Sequence, residues 1–250
     1  MASVAGKTAL VTGASRGIGR GIAEGLAAAG ATVAVNYPPH EGDGAARDVV
    51  SAIEDDGGDA IALEGDVSDA DGARSMVETF EDELGTADVL VNNAGILTQS
   101  PLAEMPVEMW DETIAVDLRG VFLATRFVLP GMLSQESGTV VNVASQLGIK
   151  GGAELVHYSA AKGGVIAFTR ALAREVSPTV RVNAIAPGPI QTDLLDDVSD
   201  EWREAKEAEL PMGRIGTVED VVPTAVFLAS DESAYYTGQT LSPEGGDAMH

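Results

Sequence analysis

Short runs of apolar, β-branched residues alternate along this chain with longer stretches whose apolar positions recur at helical spacing. The runs predict strands at Lys7–Thr12, Thr32–Asn36, Ala60–Glu64, Val89–Val91, Gly138–Ala144, Val180–Ala184 and Thr240–Leu241. The stretches between them predict helices at Gly17–Ala29, Gly44–Asp56, Ala70–Leu84, Pro106–Leu133, Tyr158–Val176 and Val218–Ala229. Strand–helix alternation repeated in this way implies an α/β fold, a seven-stranded doubly wound parallel sheet with helices on both faces. Uninterrupted apolar strands such as Ala9-Leu10-Val11 suit burial on both sides. No repeat, linker or low-complexity segment divides the 250 residues, so residues 1–250 are expected to form a single domain. In such a sheet, ligands bind beyond the C-terminal strand ends, at the point where the strand order reverses.

The chemistry-bearing residues fall at those ends. Thr12-Gly13-Ala14-Ser15-Arg16-Gly17-Ile18-Gly19 follows the first strand and opens a helix. Glycines there permit a tight turn, close approach of the backbone to a pyrophosphate and close helix–strand packing, while the helix N-terminus offers free N–H donors to the anion. A glycine turn alone is common; one between a strand and a helix near the start of an α/β chain is a binding motif. Tyr158-Ser159-Ala160-Ala161-Lys162 places a phenol and an ammonium on one helix face. Ser145 ends the fifth strand, ahead of that helix. A nearby ammonium favours the phenolate and so tunes the phenol toward proton exchange.

Both the Gly-x-x-x-Gly-x-Gly spacing and the Ser–Tyr–Lys order resemble the short-chain dehydrogenase/reductase family, and the resemblance runs over essentially the whole chain. It implies a Rossmann fold and hydride transfer between a nicotinamide cofactor and a carbonyl or alcohol. It implies that Tyr158 is the general acid or base, that Lys162 tunes it and holds the nicotinamide ribose, and that Ser145 steadies the carbonyl oxygen. Gly13, Ser15, Arg16, Gly17, Ile18 and Gly19 are the expected pyrophosphate loop. Asp66 and Val67 are expected along the adenine, and Asn93, Ala94 and Gly95 of the Asn-Asn-Ala-Gly run near the ribose, with Asn92 tying the central strands. In Pro187-Gly188-Pro189-Ile190-Gln191-Thr192, the Ile190 backbone and the Thr192 hydroxyl are implied to hold the nicotinamide amide. Relatives carry Asn in the helix before the fifth strand. Asp117 stands in its place here and joins Ser145, Tyr158 and Lys162 in the expected catalytic set, either repeating the structural part or pairing with a cation.

NADP or NAD turns on the end of the second strand, where Asn36 and Tyr37 are expected to meet the cofactor. No carboxylate stands at position 37 to repel a 2′-phosphate, and Arg16 can pair with one, which favours NADP; the Arg expected after the strand is replaced by Pro38, which leaves NAD possible. The run Val140–Lys162 and the ending Tyr236-Thr237-Gly238-Gln239-Thr240-Leu241 resemble 3-oxoacyl thioester reductases most. Sugar and polyol dehydrogenases share much of that pattern and give the alternative function. The stretch from Thr192 to Met212, including Leu194, Leu195 and Trp202, is expected to lie over the substrate, with Gln146, Leu147, Gly148, Gly152 and Ala153 as the opposite wall.

Composition narrows the classes. There is no Cys, which excludes disulfides, thiol catalysis and Cys-based zinc sites. His40, His157 and His250 are scattered, so no metal is expected; His157 is read as a neighbour of Tyr158 within reach of substrate. With 39 acidic against 15 basic residues the net charge is −24. That disfavours nucleic acid and anionic membranes as partners and matches a protein adapted to molar salt, where screening removes the self-repulsion. No signal peptide or membrane span is evident, so a cytoplasmic enzyme is expected, acting on a small carbonyl or alcohol substrate. A homotetramer is implied by the resemblance, the apolar positions of the Pro106–Leu133 helix serving as core or interface.

Overall fold

The structure is a computed structural model that describes residues 2–192 and 198–249. Seven parallel strands, β1 (Thr8–Val11), β2 (Thr32–Tyr37), β3 (Asp59–Glu64), β4 (Val89–Asn92), β5 (Gly138–Val143), β6 (Val180–Ile185) and β7 (Thr240–Leu241), lie in the order β3-β2-β1-β4-β5-β6-β7. The order reverses between β1 and β4, whose register pairs Ala9, Leu10 and Val11 with Val89, Leu90 and Val91. Side chains alternate across the sheet. Ala9 and Val11 face one core with helices α1 (Gly17–Ala28), α2 (Gly44–Asp55) and α9 (Val218–Ala229). Leu10 faces the other, with α3 (Ala70–Leu84), α5 (Gly120–Ser134) and α7 (Val156–Val176). Burial on both faces is why these strands read as continuous apolar runs.

Every predicted strand is present, with ends within a residue or two of expectation. The helical region 106–133 departs from it. Instead of one helix it contains α4 (Val107–Ile114), a single π turn at Ala115–Arg119, and α5. A π turn adds one residue to a helical turn and re-aims the side chains that follow, which is why such bulges gather at functional sites. Here it turns Asp117 fully into the protein. Two short helices were not predicted: α6 (Leu147–Lys150) and the acidic α8 (Asp200–Glu209). Among the described residues, no helix is long and apolar enough to cross a membrane.

Candidate active site

The loop after β1 is shaped by close backbone approach. Gly13 has a φ of +59°, and a Cβ on it would stand 2.8 Å from Ala94 Cα. A Cβ on Gly19 would stand 2.3 Å from both Asn93 Nδ2 and Gly13 O. These positions accept no side chain without moving backbone. The loop is tied down from below. Asn93 donates through Nδ2 to Thr12 O and Gly13 O at 3.0 and 2.9 Å, while Thr12 Oγ1 accepts from the Asn93 and Ala94 N–H groups. No side chain caps the N-terminus of α1 at Arg16, so its first-turn N–H groups remain available to an anion. A tight glycine cradle on an uncapped helix end fits a dinucleotide pyrophosphate.

The residues expected around it divide into two groups. Thr192 lies across the cradle, its Cγ2 3.6 Å from a Cβ on Gly17, which brings the Pro187–Thr192 segment against the loop. Ile190 is buried and bridges to Gly216. Pro187 accepts from the Gln146 N–H at 3.0 Å, and Gly188 packs on Glu244. Asn36 is placed otherwise. It is buried behind the loop, accepts from the Gly13 N–H at 3.1 Å and donates to Leu63 O and Gly65 O. All its hydrogen bonding is internal, so it braces the loop. Tyr37 is buried at the end of β2. Asp66 accepts from both the Ser68 N–H and hydroxyl, Val67 packs against Gly120, and the cap of α3 is Asp69. Asn92 joins β4 to β5 as expected, donating to Asn142 Oδ1 at 2.8 Å and Thr125 Oγ1 at 2.9 Å.

The residues expected to handle the proton meet where β4 and β5 end. Lys162 is buried on α7; its Nζ donates to Val143 O at 3.2 Å and lies 3.3 Å from Asp117 Oδ2 and 5.6 Å from the Tyr158 ring centre. Asp117 Oδ1 accepts from the Ile96 N–H at 2.8 Å, so one carboxylate holds both the lysine and the loop after β4. Gly95 leaves room for the pair: a Cβ there would sit 3.2 Å from Lys162 Nζ. Burial pulls the Lys162 ammonium down, but the Asp117 carboxylate and Tyr158 outweigh it and hold it above its usual pKa. Burial pushes the Asp117 carboxyl up, and Lys162 and the Ile96 N–H offset this only in part. Burial also pushes the Tyr158 phenol up. Lys162 lowers it as expected, but Asp117 raises it and the net shift is upward. Ser145 Oγ accepts from the Leu147 N–H at 3.1 Å, which leaves the hydroxyl proton free to point elsewhere.

His157 does not face a substrate space. Its ring is fully buried, with Nε2 2.9 Å from Thr98 Oγ1, and it ties α7 to the loop after β4. Periodicity on α7 separated it from Tyr158, but its partner lies 59 positions away and left no local signal.

Two arrangements beside these residues had no clear sequence signal. At the end of β2, Glu41 of the short turn Pro39–Glu41 contacts Ser15 and Arg16 of the glycine loop. On the opposite side, Asp247 Oδ2 accepts from Gln146 Nε2, Lys150 Nζ and Lys206 Nζ at 2.7, 2.7 and 2.8 Å. This clamp joins the turn after Ser145 to α8 and the C-terminal segment; Leu194 and Leu195 lie outside the described residues. Burial pushes the Asp247 carboxyl up, but Lys150, Lys206 and Gln146 overcome it and hold it at about 2. A depressed carboxyl contributes stability that is present above its ordinary value and lost as pH falls through the folded one. Asp247→Asn is therefore expected to remove about 1 kcal/mol, after allowance for solvent screening, and to flatten the acid side of the stability profile below about pH 4. Urea midpoints against pH test this, and unchanged acid sensitivity would count against the clamp.

Among the described residues, no group of three or more His, Cys, Asp or Glu is placed to hold a metal. The chain matches the family model described as Enoyl-(Acyl carrier protein) reductase over residues 13–247. It is 44% identical over 244 residues to the 3-oxoacyl-(acyl-carrier-protein) reductase FabG of Staphylococcus aureus, covering 97% of this chain and 98% of the relative. Its fold is similar, at a TM-score of 0.93 and 31% identity, to a gluconate 5-dehydrogenase from Burkholderia cenocepacia solved with NADP and tartrate, covering 98% of this chain and 96% of that one. A short-chain type dehydrogenase/reductase from Mycobacterium marinum superposes with the same TM-score at 34% identity, covering 99% of this chain and 98% of that one. With the glycine cradle, the Ser145–Tyr158–Lys162 set and a match along nearly its whole length, the chain belongs to the short-chain dehydrogenase/reductase family.

Proposed function

We propose that this enzyme reduces a 3-oxoacyl thioester to the 3-hydroxyacyl thioester with NADPH. The observation that carries the reading is Lys162 Nζ, buried between Val143 O and Asp117 and beside the Tyr158 ring, at the strand ends that also carry the glycine cradle. The similarity to 3-oxoacyl-(acyl-carrier-protein) reductases supports the substrate class, and the NADP in the related gluconate dehydrogenase structure supports the cofactor.

Gly13, Ser15, Gly17, Ile18 and Gly19 would hold the pyrophosphate, with Arg16 and Tyr37 toward the adenosine ribose. Asp66 and Val67 would lie along the adenine; Asn93, Ala94, Gly95 and Lys162 would approach the ribose of the nicotinamide half. Pro187, Gly188, Ile190 and Thr192 would border the nicotinamide. A reduced nicotinamide bound there would supply the hydride for the carbonyl carbon and be left oxidised. Tyr158 donates its proton to the carbonyl oxygen, so the C=O π bond becomes a C–H and an O–H bond. Its upward-shifted pKa keeps it protonated, the state an acid needs. Ser145, whose lone pair is engaged by the Leu147 N–H, donates to the same oxygen as charge develops. Lys162 keeps its charge beside the phenolate that remains, and Asp117 positions Lys162.

The enzyme is read as cytoplasmic and, with a charge of −24, as adapted to molar salt. Phe122 and Leu133 on α5, both exposed, support a homotetramer that covers them. The test is NADPH oxidation in molar KCl with acetoacetyl-CoA, and steady turnover is expected. A folded protein inactive on the thioester but oxidising gluconate or polyols would establish the sugar dehydrogenase reading, which the likeness to gluconate 5-dehydrogenase favours.

A further inference from the structure

The glycine loop carries two side chains that reach toward the end of β2, and both are already engaged. Glu41 Oε1 lies 2.8 Å from Arg16 Nη2, and its Oε2 accepts from Ser15 Oγ at 3.1 Å. The Glu41 side chain is 22% exposed and that of Arg16 is 64% exposed, so the carboxylate is the inner partner. A cation and a hydroxyl side by side are the donors that a ribose 2′-phosphate seeks. A carboxylate in the same place is what a free ribose 2′-hydroxyl seeks. The surroundings add negative field. Burial, then Glu64 and Asp43, push the Tyr37 phenol up, and the neighbouring Arg47 is paired with Asp43.

We propose that Glu41 sets the choice between NADP and NAD by holding the place of the ribose 2′-phosphate on Arg16 and Ser15. This rests on the reading of the glycine loop as the dinucleotide site. A phosphorylated ribose must displace Glu41 from Arg16 or sit against it, and either costs affinity because like charges at contact distance repel strongly. An unphosphorylated ribose keeps Glu41 as a hydrogen-bond acceptor. Glu41 thus narrows the gap between the two cofactors that Arg16 would otherwise open.

The test is binding by the full-length protein, read by calorimetry in parallel for NADPH, NADH, adenosine 2′,5′-bisphosphate and AMP. The proteins are the wild type, Glu41→Gln, Glu41→Ala and Glu41→Gln combined with Arg16→Ala. Glu41→Gln keeps the shape of the turn and removes only the charge, and circular dichroism checks that each variant is folded. The NADPH-to-NADH affinity ratio is expected to rise on the order of tenfold in Glu41→Gln and Glu41→Ala, the size of one exchanged charged contact. The bisphosphate-to-AMP ratio should rise with it, and the added Arg16→Ala should abolish the gain. Ratios unchanged or lowered in both Glu41 variants would overturn the role of Glu41 while leaving the dinucleotide site in place. A folded wild type that binds none of the four ligands would overturn the dinucleotide reading itself.

Discussion

Replacing Tyr158 with Phe is expected to lower turnover by about 10²–10⁴-fold, the range associated with losing one positioned general acid. That corresponds to roughly 3–5 kcal/mol on the barrier. Phe keeps the ring, so the contact with Lys162, 5.6 Å from the ring centre, and the packing of α7 survive. Cofactor affinity should therefore hold while the rate falls, which separates a chemical role from a structural one. The pH profile carries a second check. Burial pushes the phenol above its ordinary pKa, and Lys162 offsets this only partly because Asp117 acts against it. A protonated acid is needed for reduction, so the reductive rate should stay level through neutral pH and fall only on the alkaline side. Oxidation of the hydroxy product needs the phenolate and should rise over the same interval. A Tyr158→Phe enzyme of near-normal rate, or a reductive rate that climbs with pH, would remove Tyr158 from the proton step.

Asp117 should show the second large effect, and its two replacements should differ. Asp117→Ala leaves Lys162 buried without its counter-charge and the Ile96 N–H without its acceptor. Breaking a buried pair from one side costs about 3–5 kcal/mol, far more than the pair's net worth, because an uncompensated charge is left behind. Asp117→Asn keeps an oxygen for Ile96 and the volume of the side chain, so it should fold with a smaller loss. Its signature is in the titration. Without the carboxylate, burial pulls the Lys162 ammonium down. Tyr158 loses a neighbour that raised it, so the alkaline limb of the reductive profile should move to lower pH. The linkage has a sign as well. A lysine whose folded pKa is raised contributes stability fully present below its unfolded value and lost as pH rises through the folded one. The lysine's share of the wild-type advantage over Asp117→Asn should therefore be full at neutral pH and vanish in strong alkali, reduced over the neutral range by the buried Asp117 carboxylate, whose own raised pKa works against the fold there. Urea midpoints against pH measure this; equal midpoints throughout, with an unmoved alkaline limb, would reduce Asp117 to a spacer.

The strand–helix alternation, the glycine loop and the Ser145, Tyr158 and Lys162 set were legible in the sequence because each is written locally. Burial on both sheet faces produces unbroken apolar strands, a tight turn demands glycine, and helical periodicity places Tyr158 and Lys162 on one face. Asn92 was read correctly as a tie between strands, and its bond to Asn142 spans 50 positions. Other assignments required the third dimension. The π turn is an extra residue in a helix whose apolar pattern continues through it, so periodicity alone predicted a single helix. Asn36 stands at the strand end where a cofactor contact is expected, yet its amide points inward, where Gly13, Leu63 and Gly65 supply its partners.

What the sequence by itself determined was the doubly wound sheet and the candidates for the proton step, since strand burial, glycine turns and the Tyr158–Lys162 spacing are all short-range patterns. What only the tertiary structure decided was which charges meet. Asp117 finds Lys162 across 45 positions, Glu41 finds Arg16 across 25, and Asp247 gathers Lys150 and Lys206 from two other elements. Electrostatic energy depends on distance and burial rather than on order along the chain, and those quantities exist only once the sheet has brought its strand ends together.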